Sequence, residues 1–279
     1  MQEKEVFLTV KDHSVSGEEF ELIYNAHYDL LKTHPQPSPE NLPKYYESED
    51  YISHTDASSG IFNKTYQFVK KYMLRKKVRL VSKHTNGKSL LDLGAGTGDF
   101  LATAKKQNFT TSGVEPNSAA RNLATEKGID LHASKDVLDK KFDAITLWHV
   151  FEHLADFKKE AKWLAEHLEE NGCIVIAVPN YKSYDAKKYK SKWAAYDVPR
   201  HLYNFSEKSI RTIFSEVNFA LVDVKPMWFD SFYVSILSEK YENSKFSFVK
   251  GIFSGLRSNI SALSTGEASS HIYILKKRV

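Results

Sequence analysis

Sulfur and long apolar runs are scarce in this chain. One of its 279 residues is a cysteine, Cys173, so no disulfide can form within it. That thiol stands in the run Cys-Ile-Val-Ile-Ala-Val, where cysteine behaves as a small buried hydrophobe. No stretch approaches the ~18 consecutive apolar residues of a membrane span. The opening Met-Gln-Glu-Lys-Glu-Val has no signal-peptide core. These absences point to a cytoplasmic protein with no membrane partner. Excess charge is scarce too: 39 basic residues face 35 acidic ones, for a net +4. So small and dispersed an excess argues against a nucleic-acid partner. Internal repeats and low-complexity tracts are also missing. What is present, 42% hydrophobic and 27% charged residues, is the composition of a chain that folds.

From Lys88 to Val178, short apolar runs alternate with amphipathic ones, the pattern of a parallel sheet covered by helices. Strands are expected at Ser89 to Leu93, Thr110 to Val114, Asp130 to Ala133, Phe142 to Leu147 and Cys173 to Val178, each bounded by turn residues. Asn117-Ser118 caps an expected helix that Gly128 ends. Another is expected from Glu152 to Leu168, stopped by Asn171-Gly172. Further strands are expected at Phe219 to Val224 and His271 to Lys276. The aromatic-rich stretch 228–263 reads as helical additions over one end of the sheet, and 181–204 as a long loop or insertion. Ahead of the sheet, Phe7 to Val10 and Phe20 to Ile23 suggest a hairpin, His34-Pro-Gln-Pro-Ser-Pro39 is stiff and extended, and a basic helix runs from about Ile61 to Lys83. The expected division is an N-terminal extension at 1–60 and a main domain at 61–279.

The most informative segment is Leu90-Leu-Asp-Leu-Gly-Ala-Gly-Thr-Gly-Asp-Phe100, a strand entering a glycine loop and then a helix. Asp92, Gly94, Gly96 and Gly98 alternate strictly, with Ala95 between two glycines. Glycines admit positive φ and let a ligand approach the backbone, while the helix start offers unpaired amides. A dinucleotide fingerprint spaces its glycines G-x-G-x-x-G; this loop reads D-x-G-x-G-x-G. A nicotinamide-binding enzyme is the alternative the glycines alone leave open. Glu115 ends the next strand about 20 residues on, where a carboxylate can accept both hydroxyls of a ribose.

This loop resembles motif I of class I S-adenosylmethionine-dependent methyltransferases. The resemblance implies an α/β, Rossmann-like, doubly wound and mostly parallel sheet. It implies S-adenosylmethionine as cofactor, held by Asp92, Gly94, Ala95, Gly96, Gly98, Glu115 and Pro116, with Ser134 bordering the adenine and Trp148 and Tyr51 completing the site. Trp148 has core packing as its other reading.

The segment Phe142-Asp-Ala-Ile-Thr-Leu-Trp-His-Val-Phe-Glu-His-Leu154 resembles methyltransferases related to the ubiquinone-biosynthesis O-methyltransferases. On an expected helix start, His149 and His153 share one face with Glu152 beside them, a spacing that suits a divalent metal. His201 would complete that set. Hydrogen-bonded histidines without metal are the default reading. Pro179-Asn180 and Asp197-Val-Pro-Arg-His-Leu-Tyr-Asn-Phe-Ser206 resemble a bacterial subgroup of the same family. His201, His149 and His153 are the catalytic candidates. His201 is the best base, unless it and Arg200 only anchor their loop. Aromatic residues, among them Tyr45, Trp193, Tyr196 and Tyr233, are expected to wall a dry pocket. Lys187-Lys-Tyr-Lys-Ser-Lys192 reads as a solvated basic loop, with a nucleic-acid patch as its alternative. Relatives carry an N-terminal zinc ribbon; here its cysteines are missing and His13 and Ser16 stand in the expected region, so no structural zinc is expected.

The combined expectation is methyl transfer to a small-molecule acceptor, a metabolite or glycan precursor, through oxygen. A non-catalytic cofactor-binding regulator and a metal-assisted RNA methyltransferase are the rival functions.

Overall fold

Three antiparallel strands open the chain: β1 (Val6–Lys11), β2 (Glu19–Asn25) and β3 (Leu30–His34). The computed structural model describes residues 5–38, 40–46 and 61–278, with side chains from residue 69 onward in the first helix. The hairpin expected from Phe7 and Phe20 is present. The third strand, which pairs with β2 from Glu21–His34 to Asn25–Leu30, was not legible because Leu-Leu-Lys-Thr-His has no strict alternation, and the partner on its other edge lies far along the chain. That partner is a two-residue strand at 203–204, where Leu31 pairs with Asn204 and Lys32 with Tyr203. The 181–204 insertion thus completes the N-terminal sheet.

Helix α1 (Ile61–His84) then leads into the main sheet. In chain order follow β4 (Ser89–Leu93), α2 (Asp99–Lys105), β5 (Thr110–Val114), α3 (Ser118–Glu126), β6 (Phe142–Trp148), α4 (Phe157–Glu166) and β7 (Leu168–Pro179). After them come α5 (Tyr184–Tyr189), β8 (Tyr203–Asn204), α6 (Glu207–Ser215), β9 (Phe219–Pro226), α7 (Asp230–Tyr241), α8 (Ser247–Thr265) and β10 (Ser270–Lys277). The six-stranded sheet has the order β5-β4-β6-β7-β10-β9. Its first four strands are parallel and β10 runs antiparallel to both neighbours. Central β6 and β7 read as near-continuous apolar runs because helices cover both faces. One face packs Ile145, Leu147, Ile174 and Ile176 against α4 and α6. The other packs Ala144, Cys173, Val175 and Ala177 toward α1 and α2.

Three expectations need correction. Asp130 to Ala133 is no strand: only His132 bridges to Val114. Ile129 alone is buried there, so nothing apolar draws a longer segment into the ladder. The helix expected from Glu152 begins at Phe157, because the Asp156 carboxylate accepts the amides of Lys158 and Lys159 and sets the N-cap there. It ends at Glu166, and Asn171-Gly172 lie within β7. The 181–204 stretch is well structured, with Tyr181, Tyr189, Trp193 and Tyr196 buried in a core of their own together with Val10, Phe20 and Leu22.

A buried ion pair locks this third core in place. Arg200, 4% exposed, donates through Nη2 to Asp12 Oδ1 at 3.0 Å and to Asp197 Oδ1 at 2.7 Å, and through Nη1 to the Tyr45 carbonyl at 3.0 Å. Removing one partner of such a set leaves charge buried without compensation. Arg200→Met should therefore lower stability by ~3–5 kcal/mol. The urea midpoint reads it, and adding Asp12→Asn should restore part of the loss; an unchanged midpoint would contradict the assignment.

Candidate active site

The glycine loop sits between β4 and α2. Gly94, Gly96 and Gly98 take φ of +68°, +54° and +74°. A side chain at Gly94 would strike Val150 Cγ2 at 2.4 Å, whereas nothing lies within 4 Å of a Cβ at Gly96. The loop is closed on its sheet side and open above Gly96, the shape of a cradle for a flat ligand. Ala95 donates its amide to Val114 across the strand end at 2.9 Å.

Glu115 stands at the end of β5 beside that opening. Its two oxygens accept the amides of Gly96 and Asn117, each at 2.9 Å. Pro116 offers its carbonyl to Arg121, and Ser134 bonds the side chain and amide of Asp136, starting a short turn. Asp92 is buried beneath the loop and accepts from Thr146 Oγ1 at 2.5 Å. Burial pushes its carboxyl up to about 7, against the opposing pull of Thr146 and Lys77. Trp148 ends β6, stacks edge-on with Phe100 and lies under the Lys77 ammonium, 4.2 Å from the ring centre. Its buried indole nitrogen has no hydrogen-bond partner. Tyr51 falls outside the described residues.

The chain turns sharply after Trp148. His149 adopts φ +57°, a left-handed conformation that is costly outside glycine. Residues 151–153 then form a single short helical turn. His149 and His153 therefore do not share a helix face, contrary to the expectation from their spacing. The tight turn still gathers the polar groups. His149 Nε2 lies 3.1 Å from Asp230 and its Nδ1 3.4 Å from Glu152 Oε1. Burial opposes charge on this ring, but the two carboxylates outweigh it and raise its pKa to about 9.

His201 arrives from the loop before β8. Its Nε2 is 4.0 Å from Glu152 and 3.9 Å from Asp197, and its ring meets that of His153 edge-on at 4.7 Å. Its Nδ1 bonds the Ala195 carbonyl at 2.9 Å, and His153 Nδ1 bonds the Arg200 carbonyl at 3.0 Å. A carbonyl can only accept, so both Nδ1 atoms donate, and in the neutral form of either ring the lone pair is at Nε2. Burial, with a smaller lowering contribution from its neighbour His201, depresses His153 to about 4. Glu152 is 1% exposed, and neither of its oxygens has an aligned hydrogen-bond donor. Ligand atoms of Glu152, His153 and His201 all lie within 4.8 Å of one another.

His149 and His201 open onto a cavity of about 640 Å³, also lined by Tyr45, Asp230, Tyr233 and Tyr241. Asp230 and Tyr241 were not found from sequence. They lie in an aromatic-rich stretch without motif spacing, and only the fold brings α7 over β6. His13 stacks on Tyr241 at 4.4 Å at the cavity wall. Of the expected aromatic wall, Tyr45 and Tyr233 face the cavity, while Trp193 and Tyr196 are core.

Comparisons agree with this geometry. Residues 65–224 match the family described as "Methyltransferase domain", so the chain belongs to the methyltransferase-domain family of S-adenosylmethionine-dependent enzymes. An uncharacterised methyltransferase of Oceanobacillus iheyensis is 29% identical over 146 residues, covering 47% of this chain and 68% of that one. Another from Alkaliphilus oremlandii is 31% identical over 35% of this chain and 49% of its own length. The chain thus spans about half to two thirds of these relatives. Among solved structures, magnesium protoporphyrin IX methyltransferase of Synechocystis with bound S-adenosylhomocysteine aligns at a TM-score of 0.56 and 13% identity, over 84% of this chain and 97% of that one. A cyclopropane synthase of Mycobacterium tuberculosis aligns at 0.50 and 14% identity, over 72% and 83%. These last two likenesses are of fold.

Because folding raises the Asp92 pKa from 3.8 to about 7, the folded state favours the protonated carboxyl. Its stabilising contribution is complete below pH 3.8 and lost as pH rises through about 7. Asp92→Asn, neutral throughout, should show a flatter dependence of ligand-free stability across that window. Parallel profiles of urea midpoint against pH would disprove it.

Proposed function

We propose that the chain transfers a methyl group from S-adenosylmethionine to an oxygen of a small-molecule acceptor, a metabolite or glycan precursor. The observation that carries this reading is His201, anchored through Nδ1 on the Ala195 carbonyl and lining, with His149 after the end of β6, a cavity of about 640 Å³. That volume suits a small ligand; it gives no support to an RNA acceptor. Oxygen is favoured by the resemblance to ubiquinone-biosynthesis-type O-methyltransferases and by an acid–base group suited to a hydroxyl.

The residues present fit the cofactor. Gly94, Ala95, Gly96 and Gly98 would pass beneath it, and Glu115 would accept the ribose hydroxyls in place of its present amide partners. Asp92 and Pro116 shape the loop, Ser134 borders the adenine side, and the unpartnered Trp148 indole is a donor awaiting a ligand atom. When bound, S-adenosylmethionine supplies an activated methyl group on a sulfonium. The chain's task is then alignment, exclusion of water and removal of one proton. His201 accepts that proton at Nε2, and the buried Glu152 carboxylate stabilises the imidazolium formed. His149, held protonated between Asp230 and Glu152, acts as a fixed positive group and not as a base. His153 backs His201 through ring contact. We read residues 1–60 as an N-terminal extension to the 61–279 domain, whose described strands pack with the 181–204 insertion and wall the acceptor side.

The gathering of ligand atoms of Glu152, His153 and His201 within 4.8 Å of one another favours a second reading, in which these three residues would hold a divalent ion. Carboxylate and neutral imidazole suit such an ion, and the carbonyls that fix both Nδ1 protons are the outer partners a ligating histidine requires. A bound ion would lower the pKa of an acceptor hydroxyl.

Calorimetry should detect S-adenosylmethionine binding, with strong loss in Gly96→Val and in Glu115→Ala. Retained affinity in both folded variants would remove the cofactor assignment. In assays of acceptor methylation, His201→Ala should cost ~10²-fold or more in turnover if it is the base. Elemental analysis and chelation separate the two readings: activity that survives chelation supports the base network, while loss of turnover with intact cofactor affinity supports the ion.

A further inference from the structure

Helix α8 is built inside out. Its buried residues are small: Gly251, Ser254, Gly255, Ser258 and Ala262. Its large apolar residues face outward, with Phe253 69% and Leu263 75% exposed, and Val249, Ile252, Leu256 and Ile260 exposed beside them. At about 100° per residue these six fall in one arc about 100° wide. The small face is explained by packing: a Cβ at Gly251 would meet Ile236 at 2.5 Å and one at Gly255 would meet Phe232 at 2.8 Å. The outward stripe has no partner among the described residues, and a contiguous apolar patch of this kind marks an interaction surface.

Two further observations identify what covers it. A basic rim borders the stripe: Lys250 and Arg257 lie along one side of it, and α8 contains no acidic residue. On the buried side of the helix Lys188 Nζ bonds Ser254 Oγ at 2.6 Å and pairs with Glu239 at 3.1 Å, while Arg257 at the rim lies over the Tyr184 ring at 5.4 Å. The patch also continues toward the cavity through Phe229, 47% exposed, and Tyr233, 52% exposed and itself a lining residue.

We propose that α8 and its basic rim seat the protein on an anionic lipid bilayer, with the acceptor cavity opening beside that surface. An outward stripe of Phe, Leu and Ile flanked by Lys and Arg is the composition of an interfacial helix. Anionic headgroups meet the rim while the apolar side chains enter the acyl boundary. A second copy is a poorer occupant, because an antiparallel two-fold contact would bring the two basic rims to the same edge. The lack of a spanning run excludes a transmembrane helix among the described residues; it does not bear on a helix lying in the interface. The lipid contact stands independently of the proposed chemistry. Only its corollary, that the acceptor is amphiphilic and enters from the bilayer, rests on that reading.

Flotation of the whole chain with vesicles tests it. Binding is expected to phosphatidylglycerol mixed with phosphatidylcholine, weaker by roughly tenfold or more on phosphatidylcholine alone or in the Lys250→Glu/Arg257→Glu variant. Phe253→Glu/Ile260→Glu should abolish binding while circular dichroism and calorimetric affinity for S-adenosylhomocysteine stay unchanged. No binding to anionic vesicles, or equal binding by the Phe253→Glu/Ile260→Glu variant, would overturn the proposal. So would a stable dimer that those two substitutions dissociate without any vesicle binding. Vesicle binding by a chain that fails to bind the cofactor product would instead sink the methyltransferase reading and leave the lipid contact standing.

Discussion

The guanidinium of Arg200 joins the N-terminal hairpin to the 181–204 insertion. It is buried against Asp12 from the N-terminal hairpin, Asp197 from the insertion and the Tyr45 carbonyl. Buried ion pairs are weak evidence for net stability, since desolvation offsets most of the attraction. Their value here is positional. The guanidinium ties three segments far apart in sequence to one point, which sets the carbonyl of Arg200 against His153 and the next residue, His201, near Glu152.

The glycine-loop side of the sheet depends on a different constraint, the junction between Trp148 at the end of β6 and His149. Trp148 packs toward Phe100 and the glycine-loop helix, whereas His149 turns through a left-handed conformation toward Asp230 and Glu152. One peptide bond thus separates the wall of the proposed cofactor site from the wall of the cavity. Methyl transfer needs donor and acceptor atoms in line, and a junction this short leaves little slack between the two.

Legibility followed sequence distance. The strand, glycine loop and helix of 89–105, with Glu115 after them, lie within one βαβ unit, and local pattern placed them correctly. The gathering of His149, Glu152, His153 and His201 was also foreseen, because both segments follow adjacent parallel strands and must emerge at one sheet edge. Its local geometry was misread. H-x-x-E-H suits a helix, but Asp156 supplies the stronger N-cap, and the residues before it collapse into a turn. Asp230, Tyr241 and β3 were invisible because their significance comes from partners more than 70 residues away: His149, His13 and Asn204.

Helix α8 shows a different limit. Apolar periodicity predicts a helix and ordinarily predicts its inward face as well, because burial of large side chains stabilises most helices. Here close approach to α7 leaves no room for anything larger than glycine, serine or alanine, so the small residues take the inward face and the large ones are displaced to solvent. A moment computed from such a sequence points away from the protein. The displaced Phe, Leu and Ile are costly to keep in water unless something covers them. A helix whose inward face is fixed by steric fit and whose outward face is apolar therefore carries two separate demands, one met by α7 and the other by a surface outside the chain.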